Sequence, residues 1–189
     1  MIVTVTGGAR SGKSSFAERW CMKHAPSGWY VATAQAFDEE MRLRIDRHRL
    51  QREDSRYPWT TLEEPLRLAG LLRELPGYDG FHPDSCVLVD CLTLWLSNVL
   101  LAAEAEGRAT EDALTREIAR LQEAVAAYPG TLVLVTNEVG SGIVPEYPLG
   151  RLYRDYAGIL NQRIAEISDQ VFLVTAGIPI ELKSREYLL

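Results

Sequence analysis

The sequence predicts an α/β fold with a mostly parallel central sheet flanked by helices. Three observations predict it. Short, β-rich apolar runs recur along the chain, as in parallel strands buried on both faces. Helical patterns fill the gaps between them, which implies right-handed crossovers. A glycine-rich loop, "GGARSGKS" at residues 7–14, lies between the first strand and the first helix.

Strands are predicted at 2–6, 29–34, 86–90, 131–136 and 171–176. A last run, "IPIEL" at 178–182, follows Gly177 and is expected to return as an antiparallel edge strand. "KSSFAERWCMKH", directly after the glycine loop, reads as a helix. Thr110 is the expected N-cap of another, with Leu114, Ile118, Leu121 and Val125 as its apolar stripe and Gly130 placed to end it. A further helix is expected over about 149–168. The helix at 92–105, "LTLWLSNVLLAAEA", is apolar enough to support a subunit interface. Residues 53–59 and 76–85 carry Pro, Gly, Asp and Ser and read as loops.

The 189 residues, 47% of them hydrophobic, suffice for one domain with a sizeable core. A net charge of −6 argues against a broad nucleic-acid surface, though a local basic patch can still bind a small anion. No run of 18 apolar residues appears, so no membrane span is expected. "MIVTVTGGAR" runs straight into a strand, without the charged start and cleavage site of a signal peptide. Cys21, Cys86 and Cys91 lack metal spacing and read as reduced, mostly buried thiols of a cytoplasmic protein.

The glycine loop carries chemistry. Gly7, Gly12, Lys13 and Ser14 match G-x-x-x-x-G-K-[ST], after a strand and before a helix, where a P-loop belongs. Tight turning through Gly7, Gly8, Ala9, Arg10, Ser11 and Gly12 aims backbone N–H groups at phosphate oxygens. The helix N-terminus adds partial positive charge. Lys13 is expected to reach the β- and γ-phosphates, and Ser14 to bind Mg²⁺. Asp90 ends an apolar strand and is expected beside the loop as a second Mg²⁺ ligand, unless it merely caps the next helix. The expected unit is a single P-loop NTPase-like nucleotide-binding domain over residues 1–189. These features do not separate kinase from ATPase or transferase.

One basic segment stands out in the acidic chain. In "FDEEMRLRIDRHRLQR", Asp38 is the expected N-cap, and Phe37, Met41 and Ile45 form a stripe that continues at His48. A solvated basic helix with a partly buried histidine is the plain reading. The alternative is a histidine nucleophile at phosphorus, kept neutral by neighbouring arginines that also balance phosphate charge.

The chain resembles the bifunctional adenosylcobinamide kinase / adenosylcobinamide-phosphate guanylyltransferase family of cobalamin biosynthesis. The resemblance rests on "TGGARSGKS", "VATAQAFDEEMRLRIDRHR", "WTTLE", "LVDCLTLWLSN" and "TNEVGSGIVPE", in the same order over residues 1 to about 183. It implies phosphorylation of adenosylcobinamide by ATP or GTP, then GMP transfer from GTP to adenosylcobinamide phosphate through a histidine–GMP intermediate. His48, in I-x-x-H-R, matches the family's histidine. The family's GTP contacts fall on Gly7 to Ser14, on Ala32, Thr33 and Ala34, on Arg49, Leu50, Gln51 and Arg52, and on Glu63 and Asp90. The resemblance also implies a homotrimer.

The sequence departs from the family's R-P-x-x-W. "EDSRYP" separates Arg52 from Trp59, which leaves Arg52 and Arg56 open as alternatives and loosens the register of Glu63. "TNEVGSGIVPE" reads either as a strand end and turn, with Glu138 on the surface, or as a substrate or subunit loop. A small-molecule kinase without nucleotidyl transfer and a regulatory P-loop NTPase remain competing readings.

Overall fold

A computed structural model describes residues 1–35 and 39–187, without the side chains of Glu40, Met41, Arg44, His48 and Gln51. Phe37 and the expected N-cap Asp38 lie outside the described residues. The strands are β1 (Ile2–Thr6), β2 (Gly28–Ala32), β3 (Trp59–Glu63), β4 (Cys86–Asp90), β5 (Thr131–Val135), β6 (Gln170–Thr175) and β7 (Ile178–Glu181). The helices are α1 (Lys13–His24), α2 (Glu39–Asp54), α3 (Leu68–Glu74), α4 (Leu92–Ala105), α5 (Thr110–Ala126) and α6 (Pro148–Ile167).

The strands form one seven-stranded sheet in the order β3-β2-β4-β5-β1-β6-β7. β1 to β6 pair in parallel, and β7 returns antiparallel on β6 as the sequence predicts. Alternating side chains divide the core into two layers. Val87, Val89, Leu132 and Leu134 face α3 to α6, where Trp95, Leu96, Leu114, Ile118 and Leu160 are buried. Val3, Val5, Tyr30, Leu88, Val133 and Val135 face the other way, onto Ala17, Trp20 and Cys21 of α1.

Several expectations need correction. β2 ends at Ala32, not at residue 34, because Thr33 turns its hydrogen bonds onto the end of β4: its N–H bonds the Asp90 carbonyl at 3.1 Å. Thr110 is the first helical residue; Ala109 occupies the N-cap with no side-chain bond. Glu111 and Asp112 in the first turn complement the helix dipole instead. Gly130 does not end α5, which closes at Ala126 with Ala127 as its C-cap. The loop expected at 53–59 is shorter, because α2 runs to Asp54 and β3 begins at Trp59.

β3 escaped the sequence reading because it is short and half polar. Its place comes from parallel register with β2, Gly28 opposite Trp59 through Ala32 opposite Glu63. α3 is only seven residues long, too short for a periodic signal. The apolar surface of α4, expected at a subunit interface, is instead largely buried within the chain, with Leu101 left exposed. A helix apolar around most of its circumference is what such burial requires.

Candidate functional site

The site grows from the end of β1. Gly7 lies so close to β6 that a Cβ would stand 2.4 Å from the Val174 carbonyl oxygen. Gly12 takes a left-handed φ of 94° as the N-cap of α1, a conformation open to glycine at little cost. Between them Ser11 N–H donates to the Gly8 carbonyl at 3.3 Å, and Gly177 N–H donates to the Ser11 carbonyl at 2.8 Å. Lys13 is buried and donates from Nζ to the Gly8 carbonyl at 3.1 Å. The Ser11 hydroxyl is buried with no hydrogen-bond partner. A backbone cradle with an orphaned hydroxyl, at a helix N-terminus, fits phosphate oxygens.

Asp90 reaches the same place from β4, in register with Ala32 on one side and Val135 on the other. It does not cap α4, whose N-cap is Cys91. Its Oδ2 accepts a hydrogen bond from the Tyr30 hydroxyl at 3.0 Å. Thr33 clamps the following turn: its Oγ1 accepts from Cys91 N–H at 2.9 Å and donates to the Cys91 carbonyl at 2.7 Å. Asn98 of α4 donates to the Thr33 carbonyl at 2.8 Å. Thr33 is therefore a buried structural clamp in this geometry, while its neighbours Ala32 and Ala34 line the cleft.

That cleft, of about 130 Å³, is bounded by Lys13, Ser14, Tyr30, Asp90, Asn137 and Arg52. Ser14 and Asp90 thus line the same cleft. Among the described residues, no group of three or more His, Cys, Asp or Glu could hold a metal. This donor set fits Mg²⁺ held jointly by one or two protein oxygens and by phosphate.

A second cleft, of about 410 Å³, opens beside it between α2 and β3, lined by Arg49, Arg52, Trp59, Thr61 and Glu63. Arg49 Nη2 meets Glu63 Oε1 at 2.7 Å, an exposed ion pair of small energetic weight. Leu50 is exposed on α2. Arg52 lines both clefts. Arg56, the alternative left open by the longer loop, is exposed beyond the helix.

Arg52 carries the site's unusual electrostatics. It is 5% exposed, and its Nε and Nη1 have no hydrogen-bond partner. Its guanidinium lies over the Tyr30 ring, 3.6 Å from the centroid. Nη1 is 3.9 Å from Glu18 Oε1, an ion-pair distance without a hydrogen bond. Burial pushes the Glu18 carboxyl up to about 7, against the opposing pull of Arg52. At neutral pH Glu18 is thus only partly ionised, and Arg52 remains a buried cation short of anionic partners. Such a group is poised for an anion.

The backbone of His48 lies within α2, one turn before Arg52; its side chain is outside the described atoms. The inward direction expected for it rests on Met41, likewise outside the description, and on Ile45, which lines the smaller cleft. Two residues of the site carry no motif: Tyr30 is the polar-tipped aromatic in an otherwise apolar run, and Glu18 an acid on the buried side of α1. Asn137 belongs to "TNEVGSGIVPE", a motif that did not by itself mark it as a cleft residue. Glu138 is exposed.

A glycine cradle at a helix N-terminus, faced by a strand-end carboxylate, defines a P-loop nucleotide-binding protein. A type III secretion ATPase of pathogenic bacteria shares the fold, with a TM-score of 0.55 at 11% identity, covering 100% of this chain and 58% of that one. The family model described as "Cobinamide kinase / cobinamide phosphate guanyltransferase" matches residues 3–182, and the chain belongs to that family. It is 45% identical over 179 residues to the bifunctional adenosylcobalamin biosynthesis protein CobP of Pseudomonas aeruginosa, covering 95% of each chain. It is 41% identical over 190 residues to CobU of Salmonella typhimurium, covering 97% of this chain and 100% of that one.

Proposed function

We propose that this protein phosphorylates adenosylcobinamide with ATP or GTP, then transfers GMP from GTP to adenosylcobinamide phosphate through a covalent GMP adduct on His48. Membership of the bifunctional family over residues 3–182 carries the reading. Buried Arg52, which lines both clefts and has no hydrogen-bond partner at Nε or Nη1, supports it locally.

In the first reaction the substrate hydroxyl attacks the γ-phosphorus. A P–O bond forms, the bond to the β-phosphate oxygen breaks, the nucleoside diphosphate leaves and the hydroxyl proton is lost. In the second a His48 ring nitrogen attacks the α-phosphorus of GTP, and pyrophosphate departs. A phosphate oxygen of the substrate then attacks the adduct, breaking the P–N bond and freeing the histidine. Gly7 to Ser14 cradle the phosphates, with Lys13 offsetting charge on those that leave. Mg²⁺, held by Ser14 and Asp90, supplies further charge neutralisation when bound. Arg52 balances charge at phosphorus, and Arg49, Leu50, Gln51, Glu63 and the segment Ala32 to Ala34 surround the remainder of GTP. Residues 1–189 act as one domain, in the cytoplasm, as a homotrimer.

Incubation with α-labelled GTP tests the central step. The wild type should become covalently labelled and His48→Ala should not. Labelling of the variant at another residue would overturn the assignment. Product analysis with GTP, Mg²⁺ and adenosylcobinamide tests the whole: the GDP adduct is expected, whereas the phosphate alone selects a simple kinase and neither product selects a regulatory NTPase.

A further inference from the structure

Tyr30 holds opposite charges at its two ends. Its ring face carries the Arg52 guanidinium at 3.6 Å, and its hydroxyl donates to Asp90 Oδ2 at 3.0 Å. Arg52 and Asp90 themselves form no ion pair; among the described residues the carboxylate within ion-pair reach of Arg52 is that of Glu18. Yet the two line one small cleft, together with Lys13 and Ser14. A buried cation and a nearby carboxylate attract strongly. Each would neutralise the other unless something rigid stood between them.

We propose that Tyr30 is a positioning residue that keeps Arg52 and Asp90 apart, so that the cation stays available to phosphate and the carboxylate to its metal. The idea rests on the reading of this cleft as the nucleotide site. Three observations support it. Tyr30 belongs to the sheet core and is buried, so its ring cannot swing aside cheaply. Trp59 packs edge-on against the ring, with centroids 6.1 Å apart. The hydroxyl's bond to Asp90 Oδ2 at 3.0 Å ties down the far end of the ring. An aromatic face is also a surface on which a guanidinium is stabilised without losing its charge.

The test separates the two ends of the ring. GTP binding is measured by calorimetry in EDTA and again at a series of Mg²⁺ concentrations, on folded protein checked by its thermal midpoint. Tyr30→Phe keeps the ring face and loses the hydroxyl. It should bind GTP in EDTA within about threefold of wild type but require several-fold more Mg²⁺ for half-maximal tightening. Tyr30→Leu removes the spacer, lets Arg52 pair with Asp90, and should weaken GTP binding in EDTA by about tenfold or more. Adding Asp90→Asn to Tyr30→Leu should restore much of that loss, because Arg52 then has no carboxylate to collapse onto.

Equal losses in the Phe and Leu variants, or no rescue by the double variant, overturn the proposal. A ring that merely fills space predicts no rescue. These outcomes are independent of the labelling experiment: wild type that binds GTP but forms no GMP adduct overturns the proposed function and leaves the spacer test readable.

Discussion

A buried carboxyl next to a buried guanidinium gives Glu18 a measurable signature. Its carboxyl moves from an ordinary 4.5 to about 7, chiefly by desolvation. The unfolded chain therefore loses this proton between about 4.5 and 7 while the folded chain keeps it. The folded state binds more protons there, so stability is greatest below 4.5 and falls as pH rises to about 7. Glu18→Gln should remove this component, worth about 2–3 kcal/mol. Urea unfolding of both proteins at pH 4.5 and 7.5 measures it, and an unchanged difference between them would refute the assignment. At the same scale, the structure distinguishes Arg52 from Arg56. Arg52 lies within α2 and is buried against Tyr30, whereas Arg56, four residues on, is exposed beyond the helix end.

The P-loop was legible as an element because its spacing, its preceding strand and its following helix are all local. Its tolerance to change is less obvious. At Gly7 the neighbour is backbone, the Val174 carbonyl of β6, which cannot rotate away from a new methyl group. Gly7→Ala should therefore displace the loop and weaken GTP binding more than tenfold, a loss that calorimetry detects. Wild-type affinity in that variant would show that the cradle is not built this tightly. β3 marks the opposite case. "WTTLE" lacks the long apolar run of the inner strands, and only its alignment with β2 makes it a strand. The α5 boundaries also followed no simple cap rule, since Ala109 and Ala127 terminate the helix without side-chain help.

Across the molecule, the smaller cleft is built where strands β2 and β4 end, so the sheet's register decides which residues meet there. β5 lies between the P-loop strand and the Asp90 strand, and Asn137 follows it into the cleft. Away from the cleft, the loop after β5 presents Ile143 at 96% exposure, with Val144 and Tyr147 also exposed. Arg154 of α6 donates to the Gly140 carbonyl at 2.6 Å and Arg151 to the Glu146 carbonyl at 2.6 Å, which ties this loop down. An anchored loop with apolar tips suits a protein contact. The proposed homotrimer predicts three times the 21.2 kDa chain mass at sedimentation equilibrium, and a monomer at micromolar concentration would exclude it.

The sequence by itself determined the parallel-strand runs, the returning edge strand, the phosphate loop and the family, because each is written in short-range pattern or ordered motif. The meeting of Glu18, Tyr30, Arg52 and Asp90 was decided only by tertiary structure. These residues come from α1, β2, α2 and β4, and no periodicity within any one element encodes their approach. Packing of α1 and α2 on the same sheet face brings them together, and burial there turns ordinary surface residue types into a charged, partly unsatisfied cluster.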